Sequence, residues 1–398
     1  MKIIAEKEKQ VPVIDKCDVF VAGGGIAGVS AAIAAARNGA KVILCEKQCI
    51  LGGLATAGLV TIYLPLCDGE GKQVSFGLAE ELLKLSVCHY VEDRYPTAWF
   101  ENGSIEEKKK KRYEVQFNAQ LFALELEKIL KDLGVKILYD TKICAANVNG
   151  AKIDAIIVEN KSGRCAYEVK SVVDASGDAD VCKFSGAKTD TFKPLNVLAA
   201  WSYFFSRGEV KLSMLGYAEV PDEDKKEEQK FLTNKRFTGL DGEEISDMLQ
   251  MSHEQMRKKI LNARKSDDTY VPVTLPTMPQ LRMTRRIDGK YTLDDKEMHK
   301  RFENSIGMIS DWRKRGPVYE IPFTALYGAE IKNLICAGRC ISVTDAMWDI
   351  SRVIPPCAVT GQAAGTAAAM SDDFDELNVC ELQKKLMEDG VVLHESDL

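Results

Sequence analysis

The chain has 398 residues, 45% hydrophobic and 28% charged, which suits a folded globular protein of about two to three domains. Lys plus Arg number 53 and Asp plus Glu 59, a net charge of −6, which argues against a nucleic-acid partner. No apolar run approaches the ~20 residues of a membrane helix, and the charged stretch 1–10 lacks the apolar core of a secretory signal, so a cytoplasmic protein with no membrane partner is expected.

In chain order, residues 18–22 predict a short apolar strand that runs straight into Gly23, Gly24, Gly25, Ile26, Ala27 and Gly28. Residues 29–37 are alanine-rich and helical, Asn38 and Gly39 stop the helix, and 41–45 predict a second buried strand ending in Glu46. Strand, glycine turn, helix, strand and acid in this order form the pattern of a dinucleotide-binding βαβ unit. Gly23 permits the tight turn, Gly25 lets backbone approach a pyrophosphate, and Gly28 lets the helix lie close to the sheet. The N–H groups of the helix start then face the anion. Glu46, 46 − 28 = 18 residues beyond Gly28, is placed to accept ribose hydroxyls. The alternative is a glycine turn that serves packing alone. After Glu46 and Lys47, the pair Gly52 and Gly53 with Leu54 and Ala55 suits a loop lying along an extended cofactor, which points to FAD rather than NAD; an ordinary loop is the alternative.

Residues 116–133 predict a helix and 135–139 a strand. Residues 143–148, 153–159 and 165–174 predict three antiparallel strands, turned at Asn149-Gly150 and Ser162-Gly163. The last leads into Ala175, Ser176 and Gly177. From 193 to 323 the character changes: a strand is expected at 197–205 and helices at 243–264 and 294–314. The charged stretches 108–112 and 222–230 read as solvated surface. Residues 333–339 predict a buried strand that turns at Gly338 and Arg339. Residues 361–369, with Gly361, Ala363 and Ala364, predict a small-residue helix whose start aims N–H groups at the pyrimidine edge of a flavin; close packing is the alternative.

The twelve cysteines stand in apolar contexts without a C-x-x-C pair, so buried free thiols are expected and no metal site. Cys340 and Cys357 flank the later motifs, and a packing role is favoured over a redox one. His89, His253, His299 and His394 abut no motif and are expected to be structural or at the surface. Tyr203 and Tyr319 fall on expected strands of the middle region.

These motifs in this order resemble the FAD-dependent oxidoreductase family of glutathione-reductase-like flavoproteins. The resemblance rests on GGGxAG at 23–28, LGGxATAG at 51–58, AGRCIS at 337–342 and RVxPxCxxxGQAAGTAAA at 352–369. Arg282 to Gly289 and Tyr319 to Phe323 add to it. It implies an α/β fold: a Rossmann-like FAD-binding domain, βαβ with an antiparallel β-meander, plus a mixed α+β cap or substrate domain. The first is expected at 11–60, 115–192 and 325–398, the second at 61–114 and 193–324. Cofactor contacts are implied for Gly23, Gly25, Gly28, Glu46, Gly52, Gly53, Gly177, Gly338, Gly361 and Ala364. Ile26, Ala27, Lys47, Leu54, Ala55, Ala175, Ser176, Ala363 and Arg282 join them by position, and Ile143 is the candidate for backbone contact with adenine.

For chemistry, Arg286, Arg352 and Arg339 are the candidates, since a guanidinium fork suits a carboxylate or a flavin carbonyl. One of Arg282, Arg286 and Arg352 is expected to touch FAD and another to bind an anionic group of the substrate. The alternative is ion pairing with Asp288, Asp345 or Asp349. The expected function is two-electron (hydride) oxidation or reduction of a small organic substrate at flavin N5, with any external electron donor or acceptor left open. The alternatives are a monooxygenase using NAD(P)H and oxygen, and a flavin subunit relaying electrons in a complex.

Overall fold

The computed structural model describes residues 3–5, 8–89, 96–216 and 232–398; the charged stretch 222–230 lies outside them. Strand β1 (Val13–Ala22) turns through three glycines into helix α1 (Ile26–Arg37), and β2 (Val42–Cys45) follows. Helix α2 (Ala119–Asp132) starts where the Asn118 side chain accepts the N–H groups of Gln120 and Leu121, and it buries Phe122, Leu126 and Leu130 along one stripe. Next come β3 (Lys136–Leu138), β4 (Lys142–Asn149), β5 (Lys152–Asn160) and β6 (Gly163–Asp174). The middle region holds β7 (Ala200–Ser206), β8 (Glu209–Leu215), the long helix α3 (Gly242–Ala263) and β9 (Val271–Thr274). It continues with β10 (Ser305–Ser310) and β11 (Val318–Pro322). Strand β12 (Leu334–Cys336), helix α4 (Asp345–Ser351) and helix α5 (Ile354–Met370) bring the chain back to its beginning.

The fold is the expected mixed α/β one. The main sheet runs β3–β2–β1–β6–β5–β4, and β12 also pairs with β6. Strands β3, β2, β1, β6 and β12 are parallel, while β4, β5 and β6 form the antiparallel meander. Strand β6 divides one of its edges: residues 163–168 pair with β5, and 172–174 pair with β12. A second sheet, β8–β7–β9, lies over α3.

Two expectations fail. Residues 294–314 form turns and then β10, which pairs with β11, instead of a helix. Every residue of β10 is buried, so it lacks the alternation that would mark a half-exposed strand. The small-residue helix starts at Ile354, not near Gly361. Pro355 and Pro356 occupy its first turn, where their missing N–H groups cost nothing. Gly361, Ala363 and Ala364 therefore sit inside the helix and present no helix end to a ligand.

What these residues do is pack. A Cβ on Gly361 would lie 2.3 Å from the Ala27 carbonyl oxygen, and one on Gly365 would lie 2.1 Å from that of Ala31. Helices α1 and α5 thus touch backbone to backbone, and α1 is buried from Ile26 to Ala35 between α5 and the sheet. Replacing Gly365 with alanine should lower the unfolding free energy by about 3 kcal/mol, because backbone must yield on both sides. Urea titration reads this; a loss below about 1 kcal/mol would show that the two helices part freely.

Candidate functional site

The carboxyl ends of β1, β2, β6 and β12 open onto one elongated cleft of about 770 Å³, its mouth included. Such an edge of a parallel sheet is where the turns after successive strands converge. Gly23, Gly25, Ile26 and Ala27 form its floor. Beyond its own chain neighbours, no atom lies within 4 Å of where a Cβ on Gly25 would stand, so the wall is hollow at that residue. Gly25 also caps α1 without a side-chain bond, and no acid occupies the first turn. The amides of Ile26, Ala27 and Gly28 have no carbonyl of the helix to bind, and they carry the positive end of its dipole. Gly28 lies beneath the floor, where a Cβ would strike the Gly23 carbonyl oxygen at 1.8 Å.

At one end stand Glu46 and Lys47. Glu46 is buried, its Oε2 accepting the Gly24 N–H at 2.7 Å and its Oε1 the Gln48 N–H at 2.8 Å. Burial raises its pKa, and these two N–H groups oppose the rise. The loop Gly52, Gly53, Leu54 and Ala55 forms a side wall, fixed by the Gly52 N–H donating to the Gly24 carbonyl at 2.8 Å. Ala175, Ser176 and Gly177 form the opposite side.

Of the candidate arginines, Arg339 and Arg352 line the cleft. Arg339 lies on Gly177, donates to the Leu281 carbonyl at 2.8 Å and stands 3.5 Å from Asp178. Arg352 donates from Nε to Asp349 Oδ1 at 2.9 Å, and Arg313 shares Asp349 at 3.4 Å. Arg286 is not part of the cleft wall; it pairs with Asp190 at 3.1 Å and stands over the Trp348 ring. Its neighbour Arg285 pairs with Asp180 at 2.7 Å. These pairings are ion-pair roles, with Asp190 rather than the expected aspartates serving Arg286. Arg282, also expected at the cofactor, is 7% exposed and is not part of the cleft wall; burial and the nearby Arg352 charge lower its pKa, and Asp349 opposes the fall.

Gly338 sits just behind the wall, donating its N–H to Thr360 Oγ1 at 2.9 Å between the lining residues Ala337 and Arg339. Ile143 lies at the start of β4, outside the wall. Asp178, Met278, Ile354 and Cys357 line the cleft although the sequence did not single them out as cofactor contacts. Asp178 could have been read, since it directly follows Gly177. Met278 arrives from the middle region through a tie between the Thr277 N–H and the Ala57 carbonyl at 2.9 Å, which no local pattern announces.

The histidines stay clear of the cleft wall: His89 faces Glu125, His299 faces Glu395, and His394 faces Glu320 at 3.0 Å. Tyr319 donates to the Asp295 carbonyl. No cysteine is paired; seven are buried, but Cys49, Cys88 and Cys380 are exposed, against expectation. Burial pushes the Cys357 thiol up to about 12 and Cys340 well above its usual range. Neither forms a thiolate near neutral pH. Brief treatment of the native protein with iodoacetamide should therefore label Cys49, Cys88 and Cys380 first and spare Cys340 and Cys357, as peptide masses will show.

Over 70 residues the chain is 36% identical to a thioredoxin reductase of Ureaplasma parvum, covering 18% of this chain and 23% of that protein. Over 48 residues it is 54% identical to a fumarate reductase (cytochrome) of Shewanella frigidimarina, covering 11% and 8%. The chain thus spans less than a quarter of the length of these curated relatives. Among solved structures, a geranylgeranyl bacteriochlorophyll reductase-like protein of Thermoplasma acidophilum matches with TM-score 0.45 and 12% identity, over 95% of this chain and 84% of that one. A 3-ketosteroid-delta4-(5alpha)-dehydrogenase of Rhodococcus jostii matches with TM-score 0.41 and 14% identity, over 90% and 97%. The family model described as FAD dependent oxidoreductase matches residues 18–192 and 205–386, and the chain belongs to that family.

Proposed function

We propose that the protein is an enzyme that oxidises or reduces a small organic substrate by two electrons, with FAD lying along the cleft. FAD is the cofactor of the family. The observation that carries the reading is the hollow at Gly25: an uncapped helix start faces an open groove at the one position where a side chain would obstruct it. That is the fit an anionic diphosphate requires.

In this reading Glu46 holds the adenosine ribose. Each of its carboxylate oxygens already accepts one backbone N–H and keeps a lone pair for a hydroxyl. The amides of Ile26 and Ala27 neutralise the diphosphate. The 52–55 loop keeps water from one side of the cofactor, and Ala175, Ser176 and Gly177 from the other. Arg339, Arg352 and the start of α5 stand at the other end of the cleft, where the isoalloxazine would lie. Bound there, FAD supplies the electron-pair chemistry, while the chain supplies position and charge.

Rapid-mixing absorbance of the FAD-loaded protein tests the reaction class. Anaerobic bleaching of the yellow band by a small organic donor, or recolouring of the reduced protein by a small organic acceptor, is expected. Bleaching by NAD(P)H followed by oxygen-dependent hydroxylation would make it a monooxygenase, and bleaching by a protein partner alone would make it a relay subunit. A Gly25→Ala variant should still fold, since a Cβ there meets only open space, yet hold FAD at least about tenfold more weakly by equilibrium dialysis. Unaltered FAD affinity would remove the cleft from the proposal.

A further inference from the structure

The residues that lead into the cleft wall form a buried cluster that the proposed chemistry does not use. Asp174 and Cys336 end the neighbouring strands β6 and β12 and face one another in their ladder. From there the chain enters the wall, through Ala175, Ser176, Gly177 and Asp178 after β6 and through Ala337 after β12. The short helix Asp180–Ser185 follows the first of these turns and brings in Cys182. Asp174, Cys182 and Cys336 are all fully buried, and the Sγ atoms of Cys182 and Cys336 stand 3.3 Å apart.

Backbone sets the approach of the two sulfurs. Cys336 is held by its ladder with β6 and by its N–H, which donates to the Leu326 carbonyl at 2.7 Å. The N–H of Cys182 donates to Asp174 Oδ2 at 3.0 Å. Asp174 Oδ1 accepts the Ser176 N–H at 3.1 Å and the Ser176 hydroxyl at 2.6 Å. One carboxylate therefore pins the helix that carries Cys182 to the strand that ends beside Cys336. The sulfurs of a disulfide lie about 2.05 Å apart, so closing this pair asks for a shift of roughly 1 Å. A third buried thiol, Cys340, stands apart: its Sγ accepts the Ala179 N–H at 3.3 Å and lies 4.0 Å from Asp174 Oδ1.

We propose that Cys182 and Cys336 are a dithiol that hydrogen peroxide closes to a disulfide, tying the helix Asp180–Ser185 to the end of β12. One sulfur attacks the peroxide, the O–O bond breaks, water leaves, and that sulfur becomes a sulfenic acid. The second sulfur displaces the hydroxyl as another water, and the S–S bond forms. Two thiols thus give up two electrons and two protons, and the peroxide is reduced to two waters. Each thiol stays protonated near neutral pH, Cys182 through its hydrogen bond to Cys336 and through burial, Cys336 through burial, which pushes it up to about 12. Closure is therefore slow, and the pair remains reduced until the oxidant reaches it. The inference is independent of what the cleft binds.

The test exposes the reduced, purified protein to hydrogen peroxide, unfolds it, blocks the remaining thiols with iodoacetamide and cuts it with trypsin. Cutting after Lys170, Lys183, Lys332, Arg339 and Arg352 puts Cys182 on peptide 171–183, Cys336 on 333–339 and Cys340 on 340–352. Peptides 171–183 and 333–339 should appear joined, two hydrogens lighter than the separate pair, and dithiothreitol should part them. The oxidised protein should unfold at a higher urea concentration than the reduced one, since the link closes a long loop. Cys336→Ser should lose both effects and Cys340→Ser should keep them; where a variant fails to fold, the wild-type peptides decide. Unjoined peptides, or 171–183 joined to 340–352 instead, overturn the proposal. So does a joined form that unfolds at lower urea, because the bridge then forms only after the wall has opened. Zinc or copper held one-to-one by the untreated protein, with the peptides unjoined after peroxide, would give the cluster to a metal ion and likewise end the proposal.

Discussion

The molecule depends on a contact with no side chains in it. Gly28 brings α1 onto the turn after β1, and Gly361 and Gly365 bring α5 onto α1 at Ala27 and Ala31. With both contacts made at backbone distance, the amino end of α1 is fixed over the sheet edge and the cleft is a consequence. Any side chain at these points would lift one helix from the other and carry the floor of the cleft with it.

Around that crossing, the strands divide the work. The long strand β6 pairs with β1 along its length and is held on its other side first by the meander and then by β12. Its final residue, Asp174, is fully buried and accepts the N–H groups of Ser176 and Cys182. The turn that follows is therefore rigid before any ligand arrives. In contrast, the part of the cleft away from Glu46 is assembled from distant segments: Arg352 from the α4–α5 junction, Met278 from after β9, and Arg339 from after β12.

This division explains what could be read in advance. The βαβ unit, the meander and the strand before Arg339 each carry their information locally: glycines at turns, alternation in strands, an acid at a strand end. Of the cofactor contacts expected between Gly23 and Ala55, all but Gly28 line the cleft, as do Ala175, Ser176 and Gly177, whereas Gly338, Gly361, Ala363 and Ala364 from the later motifs do not. The start of α5 was placed too late: the small residues from Gly361 onward mark its middle, and its first turn carries Pro355 and Pro356, which a helix tolerates there. Strand β10 was misread because burial on both faces erased its period. Arg286 stood in the same motif as Arg282, and nothing short of the tertiary structure shows that Arg286 is paired with Asp190.

The two prolines opening α5 have a consequence of their own. A helix start normally offers several amides that orient whatever they hold. Here the first turn has a dipole but has lost two of its directional donors, so it attracts negative charge without specifying how a molecule should turn. Orientation at that end passes to side chains, which single substitutions alter far more easily than backbone, so the scaffold can exchange one reactant for another while its grip on the nucleotide stays the same.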